Sequence, residues 1–242
     1  MQICIDRLQG HSIVASALKS GSLVIDLGAN SGRFAQLITE RYGVRCVCFE
    51  PNPERFALIP YSERIVKHQF AAGAKVATVE LYVDENPEAS STIFDVSRAR
   101  GIKVAVRSLP LDKILHLAGG ERIELMKVDI EGSETEFFEN ALDQDLKRIN
   151  QLSLEFHEMH GWTRRADITL LLDRMRRLGF EVVRMSALHY GDVLFLNRCH
   201  FGTTQVSEMT SAAKRYRNRR VFNALLEKGI QYVAKRKRTG AS

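Results

Sequence analysis

The chain has 242 residues, 45% hydrophobic and 26% charged, the composition of an ordinary soluble globular protein with room for one sizeable core. No apolar run approaches the roughly 20 residues needed to span a bilayer, which excludes a transmembrane segment of the usual kind. The formal net charge of +6 is uneven, because residues 211–242 hold ten Lys or Arg against Glu227 alone and leave residues 1–210 net acidic.

The first ten residues, "MQICIDRLQG", have neither the basic start nor the apolar stretch of a signal peptide. Cys4, Cys46, Cys48 and Cys199 form no CxxC pair and no zinc-finger spacing, and Cys46 and Cys48 alternate within an apolar strand and read as buried free thiols in a reducing compartment. A cytoplasmic protein is expected.

From residue 22 the chain alternates strand and helix. "SLVIDLG" (22–28) predicts a short buried strand, and "RFAQLITERYG" (33–43) a helix closed by Gly43. The turn between them reads D-x-G-x-N-x-G: Asp26, Gly28, Asn30, Gly32. A dinucleotide fingerprint would need a glycine where Asn30 stands, so that the backbone can approach a pyrophosphate. An acid at the mouth of the first strand repels a pyrophosphate but suits a ligand carrying an ammonium and a sulfonium. "VRCVCFE" (44–50) predicts a second strand ending in Glu50, well placed to accept from two ribose hydroxyls. Turn and acid together point to S-adenosylmethionine.

"NPERFALIP" begins a short helix with Pro53 in its first turn, and "IVKHQFAA" predicts a third strand. "KVATVELYV" and "IKVAVRSL" alternate at period two around a polar loop, residues 84–95, which reads as a lid, an acceptor-binding surface or a plain hairpin tip. "LDKILHLAG" predicts a helix. "RIELMKVDIEG" (122–132) predicts a strand that gathers Lys127, Asp129 and Glu131 at its end, with Glu134 in the helix "SETEFFENAL" that follows. "INQLSLEFHE" predicts a fifth strand with Glu155 and His157 on one face. A helix, "ITLLLDRMRRLG", and two closing strands, "FEVVRMSA" and "DVLFLNR", complete the body. Such βα repeats imply a doubly wound, mostly parallel sheet with helices on both faces and ligands at the carboxyl ends of its strands.

"VIDLGANSG", "FEPNP", "MKVDIEGSE" and "LEFH" together resemble the FkbM family of S-adenosylmethionine-dependent methyltransferases over about residues 20–200. The resemblance implies a Rossmann-like class I methyltransferase fold with a seven-stranded sheet, and methyl transfer to an oxygen of a sugar, glycan or secondary metabolite. It implies that Asp26, Gly28, Asn30 and Gly32 line the methionine end of the cofactor and Glu50 its ribose. Asp129 and Glu131 would lie near the reacting centre.

Methyl transfer from a sulfonium asks the protein to align donor and acceptor and to take the acceptor's proton. His157 is the preferred base, with Glu155 or Asp129 orienting it; a histidine simply bonded to a backbone carbonyl is the bland alternative. A Mg²⁺ or Mn²⁺ ion on Asp129, Glu155 and His157 is a rival arrangement and is not favoured. Lys127 reads as a structural partner of Asp129.

Residues 206–242 form a second unit after a methyltransferase domain at 1–205. Val221, Phe222, Leu225, Leu226, Ile230 and Val233 recur at helical spacing, predicting an amphipathic basic helix from residue 212. It reads first as packing on the protein's own surface or a subunit partner, then as contact with an anionic membrane through residues 212–238, then as nucleic-acid contact, which is disfavoured. The membrane reading would put the protein at the inner face of a membrane. The rival functions are an RNA methyltransferase recruited by this tail and a non-catalytic cofactor-fold binding module.

Overall fold

The computed structural model describes residues 2–83, 102–120 and 122–238. At its centre is a seven-stranded sheet built from β3 (Leu23–Leu27), β4 (Arg45–Phe49), β5 (Ile65–His68), β9 (Ile123–Val128), β10 (Ile149–Leu154), β11 (Phe180–Arg184) and β12 (Val193–Asn197). Their order is β11-β12-β10-β9-β3-β4-β5, and only β12 runs against its neighbours. This is the predicted doubly wound, mostly parallel sheet.

The strands are buried on both faces, so each carries two alternating sets of core residues. Ile25, Leu27, Met126, Val128, Leu152 and Leu154 face one layer, built on helices α3 (Leu111–Ala118), α4 (Glu134–Glu139) and α6 (Arg165–Arg177). Val24, Cys46, Cys48 and Leu125 face the other, where α1 (Arg33–Tyr42) inserts Phe34, Ala35 and Ile38. The period-two rule puts Asp26 and Lys127 on this second face too, and the parallel register makes them cross-strand neighbours.

Three features depart from the predicted elements. The stretch expected as one third strand divides, with β5 joining the main sheet and β6 (Ala71–Ala72) pairing with β8 (Ile102–Leu109) in a small sheet completed by β7 (Ala77–Val83). An N-terminal hairpin, β1 (Ile5–Leu8) and β2 (His11–Val14), is docked on the second face of the sheet. The side chain of Gln151 in β10 holds it, accepting the Val14 N–H at 2.9 Å and donating to the Val14 carbonyl at 3.3 Å. Buried Asp192 accepts the Ser12 N–H at 3.1 Å and the Ser12 hydroxyl at 2.8 Å. Third, beyond the short helices α5 (Asp143–Leu146) and α7 (Arg198–Phe201), the C-terminal helix α8 begins at Thr203 and reaches Arg238.

The first turns of α8 are continuous with the core, because Val206, Met209 and Ala213 pack on Val183, Leu194 and Leu196 of the sheet. Arg217 and Arg220 then donate to the carbonyls of Arg184 and Met185. Beyond that anchorage Phe222, Leu225 and Leu226 are exposed. Among the described residues no helix is long and apolar enough to cross a membrane. The loop at 84–95, and the side chains of Ile230 and Val233, lie outside what the structure describes.

Candidate active site

The carboxyl ends of β3, β4, β9 and β10 meet at one edge of the sheet, and the singled-out residues collect there. After β3 the chain turns at Gly28, whose N–H bonds the Phe49 carbonyl of β4 at 3.0 Å, as does that of Ala29 at 3.1 Å. Gly28 has φ +71°, and a Cβ there would lie 1.8 Å from the Asp129 carbonyl oxygen, so only glycine fits between the ends of β3 and β9. Asn30 (φ +52°) and Gly32 (φ +77°) also take left-handed conformations, and Gly32 opens α1.

Glu50 ties this turn to the next one. Its Oε2 accepts the Asn30 N–H at 2.7 Å and its Oε1 the Asn52 N–H at 2.8 Å. Asn52 in turn caps α2 (Pro53–Leu58) by accepting from the Glu54 N–H at 3.0 Å. A carboxylate has about four acceptor positions and these bonds use two, so each oxygen keeps capacity for a ligand hydroxyl. Burial raises the Glu50 pKa above its ordinary value, while the N–H groups of Asn52 and Asn30 pull the other way.

Asp26 has no exposed surface, and its Oδ1 lies 3.1 Å from Lys127 Nζ. The expectation that it lines the methionine end of a cofactor is therefore amended: its charge is spent on the cross-strand lysine beneath the turn. Lys127 also donates to the Gly28 carbonyl at 2.7 Å and lies 3.7 Å from Asp129 Oδ2. Burial would lower the Lys127 pKa, but the charges of Asp26 and Asp129 outweigh it and hold the ammonium firmly charged. The lysine expected to pair with Asp129 thus lies nearer to Asp26, at 3.1 against 3.7 Å.

Asp129, Glu131 and Glu155 present their carboxylates at the open edge, with side chains 28%, 21% and 35% exposed. Burial would raise the Asp129 pKa; Lys127, His11 and His157 reverse this and hold it well below the usual carboxylate range. Glu155 has less compensation, and burial with the neighbouring Asp129 charge raises its pKa. Glu131 takes φ +53°, a strained conformation for a residue with a side chain, at the turn after β9.

His157 is buried, stacked on Trp162, with its Nδ1 2.8 Å from Glu134 Oε1. Glu134, itself fully buried, also accepts the Gly132 N–H at 3.0 Å. His157 Nε2 faces the open edge, 3.5 Å from both Asp129 Oδ1 and Glu131 Oε2. Burial would lower the His157 pKa, yet the Glu134 bond and the charges of Glu134, Asp129 and Glu131 raise it to about 9.

The expected partnership of Glu155 with His157 is corrected. β10 stops at Leu154, and by His157 the backbone has left the extended region (φ −93°, ψ 41°), so period-two alternation no longer governs where these side chains point. Glu134 takes the orienting role on Nδ1. For the same reason Asp129, Glu155 and His157 do not gather as one three-ligand group. Among the described residues the groups of that kind at this edge are Asp129–Glu131–His157 and His11–Asp129–Glu155.

His11 was not singled out in the sequence. It opens β2 and reaches the site from the docked hairpin, its Nε2 3.8 Å from Asp129 Oδ2 and 4.0 Å from Glu155 Oε2. Four-residue strands carry too little periodicity to announce a docked hairpin, so no sequence signal pointed to it.

A parallel sheet, a turn of D-x-G-x-N-x-G, an acid ending the next strand and open carboxylates beyond define a class I S-adenosylmethionine-dependent methyltransferase. The family model for the methyltransferase FkbM domain matches residues 26–182, and the chain belongs to that family. It is 27% identical over 202 residues to the 31-O-demethyl-FK506 methyltransferase FkbM of Streptomyces tacrolimicus, covering 69% of this chain and 75% of that one. It is 24% identical to the methyltransferase sdnD of Sordaria araneosa, covering 72% and 79%. It is also 26% identical to the AMB antimetabolite synthetase AmbE of Pseudomonas aeruginosa, covering 72% of this chain but only 10% of that much longer protein.

The residues fit the cofactor of this class. Glu50 retains acceptor positions for a ribose diol, the Gly28–Gly32 turn offers close backbone approach, and the open carboxylates suit a ligand with ammonium and sulfonium charges.

Proposed function

We propose that the protein is an O-methyltransferase acting on a hydroxyl of a sugar, glycan or secondary metabolite. The observation that carries this reading is the buried Glu134–His157 pair, whose Nε2 faces the open carboxylates at the strand ends. A buried carboxylate on Nδ1 fixes the ring's tautomer and aims Nε2 at the reacting edge, which is what a general base requires. The Streptomyces relative is named as a 31-O-demethyl-FK506 methyltransferase, which supports oxygen as the acceptor atom.

S-adenosylmethionine supplies a methyl carbon on a leaving group that is already activated. Glu50 would hold its ribose, and Gly28, Asn30 and Gly32 its amino-acid end. Asp129 and Glu131 would balance its positive charge. His157 takes the acceptor's hydroxyl proton at Nε2, and Glu134 stabilises the imidazolium that results. A cationic ligand beside His157 lowers its pKa by like-charge repulsion, the direction a base working near neutrality needs.

Contact with an anionic membrane through residues 212–238 is part of this proposal, supported by the exposure of Phe222, Leu225 and Leu226 on a helix rich in Lys and Arg. The test of function is cofactor binding by calorimetry, followed by transfer of labelled methyl to a panel of sugars, metabolites and RNA. Transfer to a hydroxyl that His157→Gln abolishes, with cofactor affinity kept, is the expected result. Transfer to RNA alone, or binding with transfer to nothing, would replace the reading with one of its rivals.

A further inference from the structure

We propose that His11, Asp129 and Glu155 form a divalent-cation site that holds the oxygen of the methyl acceptor. The role given to the ion rests on the O-methyltransferase reading; the site itself rests on geometry.

His11 lies outside residues 26–182, so the family match carries nothing about it. Its side chain is 1% exposed, and its Nε2 has no hydrogen-bond partner among the described residues. A buried imidazole nitrogen with nothing to bond is costly unless a ligand completes it. This one is aimed between two carboxylates. The distances of 3.8 Å to Asp129 Oδ2 and 4.0 Å to Glu155 Oε2 are too long for hydrogen bonds, and all three atoms lie within 4.8 Å of one another. A point equidistant from three atoms so spaced lies roughly 2.1–2.5 Å from each, the length of cation bonds to nitrogen and oxygen.

The ring is set for ligation. Nδ1 faces Ser153 Oγ at 3.4 Å; in the tautomer that donates there, Nε2 carries its lone pair beside Asp129 and Glu155. The hairpin that carries His11 is pinned by Gln151 and Asp192, which fixes the backbone from which the buried ring reaches the site. The charge balance agrees. Lys127 and His157 stand 3.7 and 3.5 Å from Asp129 but are held closer by Asp26 and Glu134, so these cations are shared while Glu155 adds a further negative charge at the edge.

Imidazole with two carboxylates suits Mn²⁺, Mg²⁺ or a similar ion. Such an ion would take the acceptor's hydroxyl oxygen on its open side and acidify it. The O–H bond would break with its proton passing to His157 Nε2, which faces the other oxygen of Asp129.

The test uses the full chain stripped with chelator and titrated with Mn²⁺, with free Mn²⁺ read by electron paramagnetic resonance. One bound ion is expected, with affinity at least tenfold weaker in His11→Gln and in Glu155→Gln. His157→Gln and Glu131→Gln are expected to keep it. Glu155 is partly exposed, so its variant reports even if His11→Gln fails to fold. No Mn²⁺ bound at millimolar concentration overturns the site. Loss in His157→Gln with retention in His11→Gln overturns it too, moving the ion to Asp129–Glu131–His157. Mn²⁺ bound as expected, with methyl transfer only to nitrogen, upholds the site and removes the hydroxyl reading instead.

Discussion

Glu134 Oε1 lies 2.8 Å from His157 Nδ1, and both side chains are buried behind the open carboxylates of the site. Two residues 23 positions apart, one at the start of α4 and one beyond the end of β10, thereby act as one unit. Glu134→Gln keeps the shape of the side chain and can still accept the Gly132 N–H, but it removes the charge that stabilises the imidazolium. Turnover is expected to fall by about two to four orders of magnitude, with cofactor affinity unchanged within about twofold. Steady-state turnover alongside calorimetric binding separates the two effects; an unchanged turnover removes the pair from the chemistry.

Glu50 is expected to matter for binding instead of rate. Glu50→Ala deletes the acceptor of the Asn30 and Asn52 N–H groups and the proposed ribose contacts together. The cofactor dissociation constant should rise at least tenfold by calorimetry, with a stability loss of about 1–3 kcal/mol from the two stranded donors. An unaltered dissociation constant would remove Glu50 from the cofactor site.

Gly28→Ala should damage folding before chemistry. The new methyl would meet the Asp129 carbonyl at 1.8 Å in a backbone of φ +71°, and that carbonyl is main chain at the end of β9. A loss on the order of 3 kcal/mol or more is expected in urea unfolding. Wild-type stability in this variant would mean that the turn does not press on β9.

The docking of the hairpin should weaken in acid. Asp6 Oδ2 accepts from the Tyr42 hydroxyl at 2.6 Å and from Arg41 at 2.9 Å, joining β1 to α1. Burial raises the Asp6 pKa, but these bonds and the Arg7 N–H more than reverse it, leaving it below the ordinary 3.8. A carboxylate whose pKa is lowered by folding contributes stability that is fully present above its unfolded value and lost as pH falls through its folded one. Urea midpoints measured from neutrality down to about pH 2 should therefore fall more steeply for the wild type than for Asp6→Asn, with the excess loss below pH 3.8. Parallel curves would show that Asp6 contributes nothing.

The exposed end of α8 offers a separable test. Replacing Phe222, Leu225 and Leu226 by Ser leaves untouched the residues that dock the helix, Val206, Met209 and Ala213. Cosedimentation with anionic vesicles is expected to drop severalfold in the triple variant and with added salt. Equal partitioning of the two proteins would leave the stripe without a membrane role.

Much of this molecule is legible in the order of its residues. Alternation of apolar segments identifies the sheet, because strands buried on both faces must be apolar along their length. Gly28 is legible as part of the D-x-G-x-N-x-G turn, and Glu50 as the acid that ends the next strand. Lys127 beside Asp129 announces a paired cation, although its closer partner, Asp26, emerges only from the parallel register.

The tertiary structure decided the rest, for reasons of distance and direction. Period-two spacing assigns Glu155 and His157 to one face only while the chain stays extended, and it does not beyond Leu154. Glu134 reaches His157 because Phe137 and Phe138 pack α4 into one core with α6 and β10. His11 reaches Asp129 because Gln151 and Asp192 dock a hairpin too short to show any pattern of its own. Local sequence thus determined the sheet and the turn through periodicity and backbone sterics, and the acids at the strand ends pointed to the class of ligand. Which histidine meets which carboxylate depended on contacts between residues far apart in the chain, and only packing could choose among them.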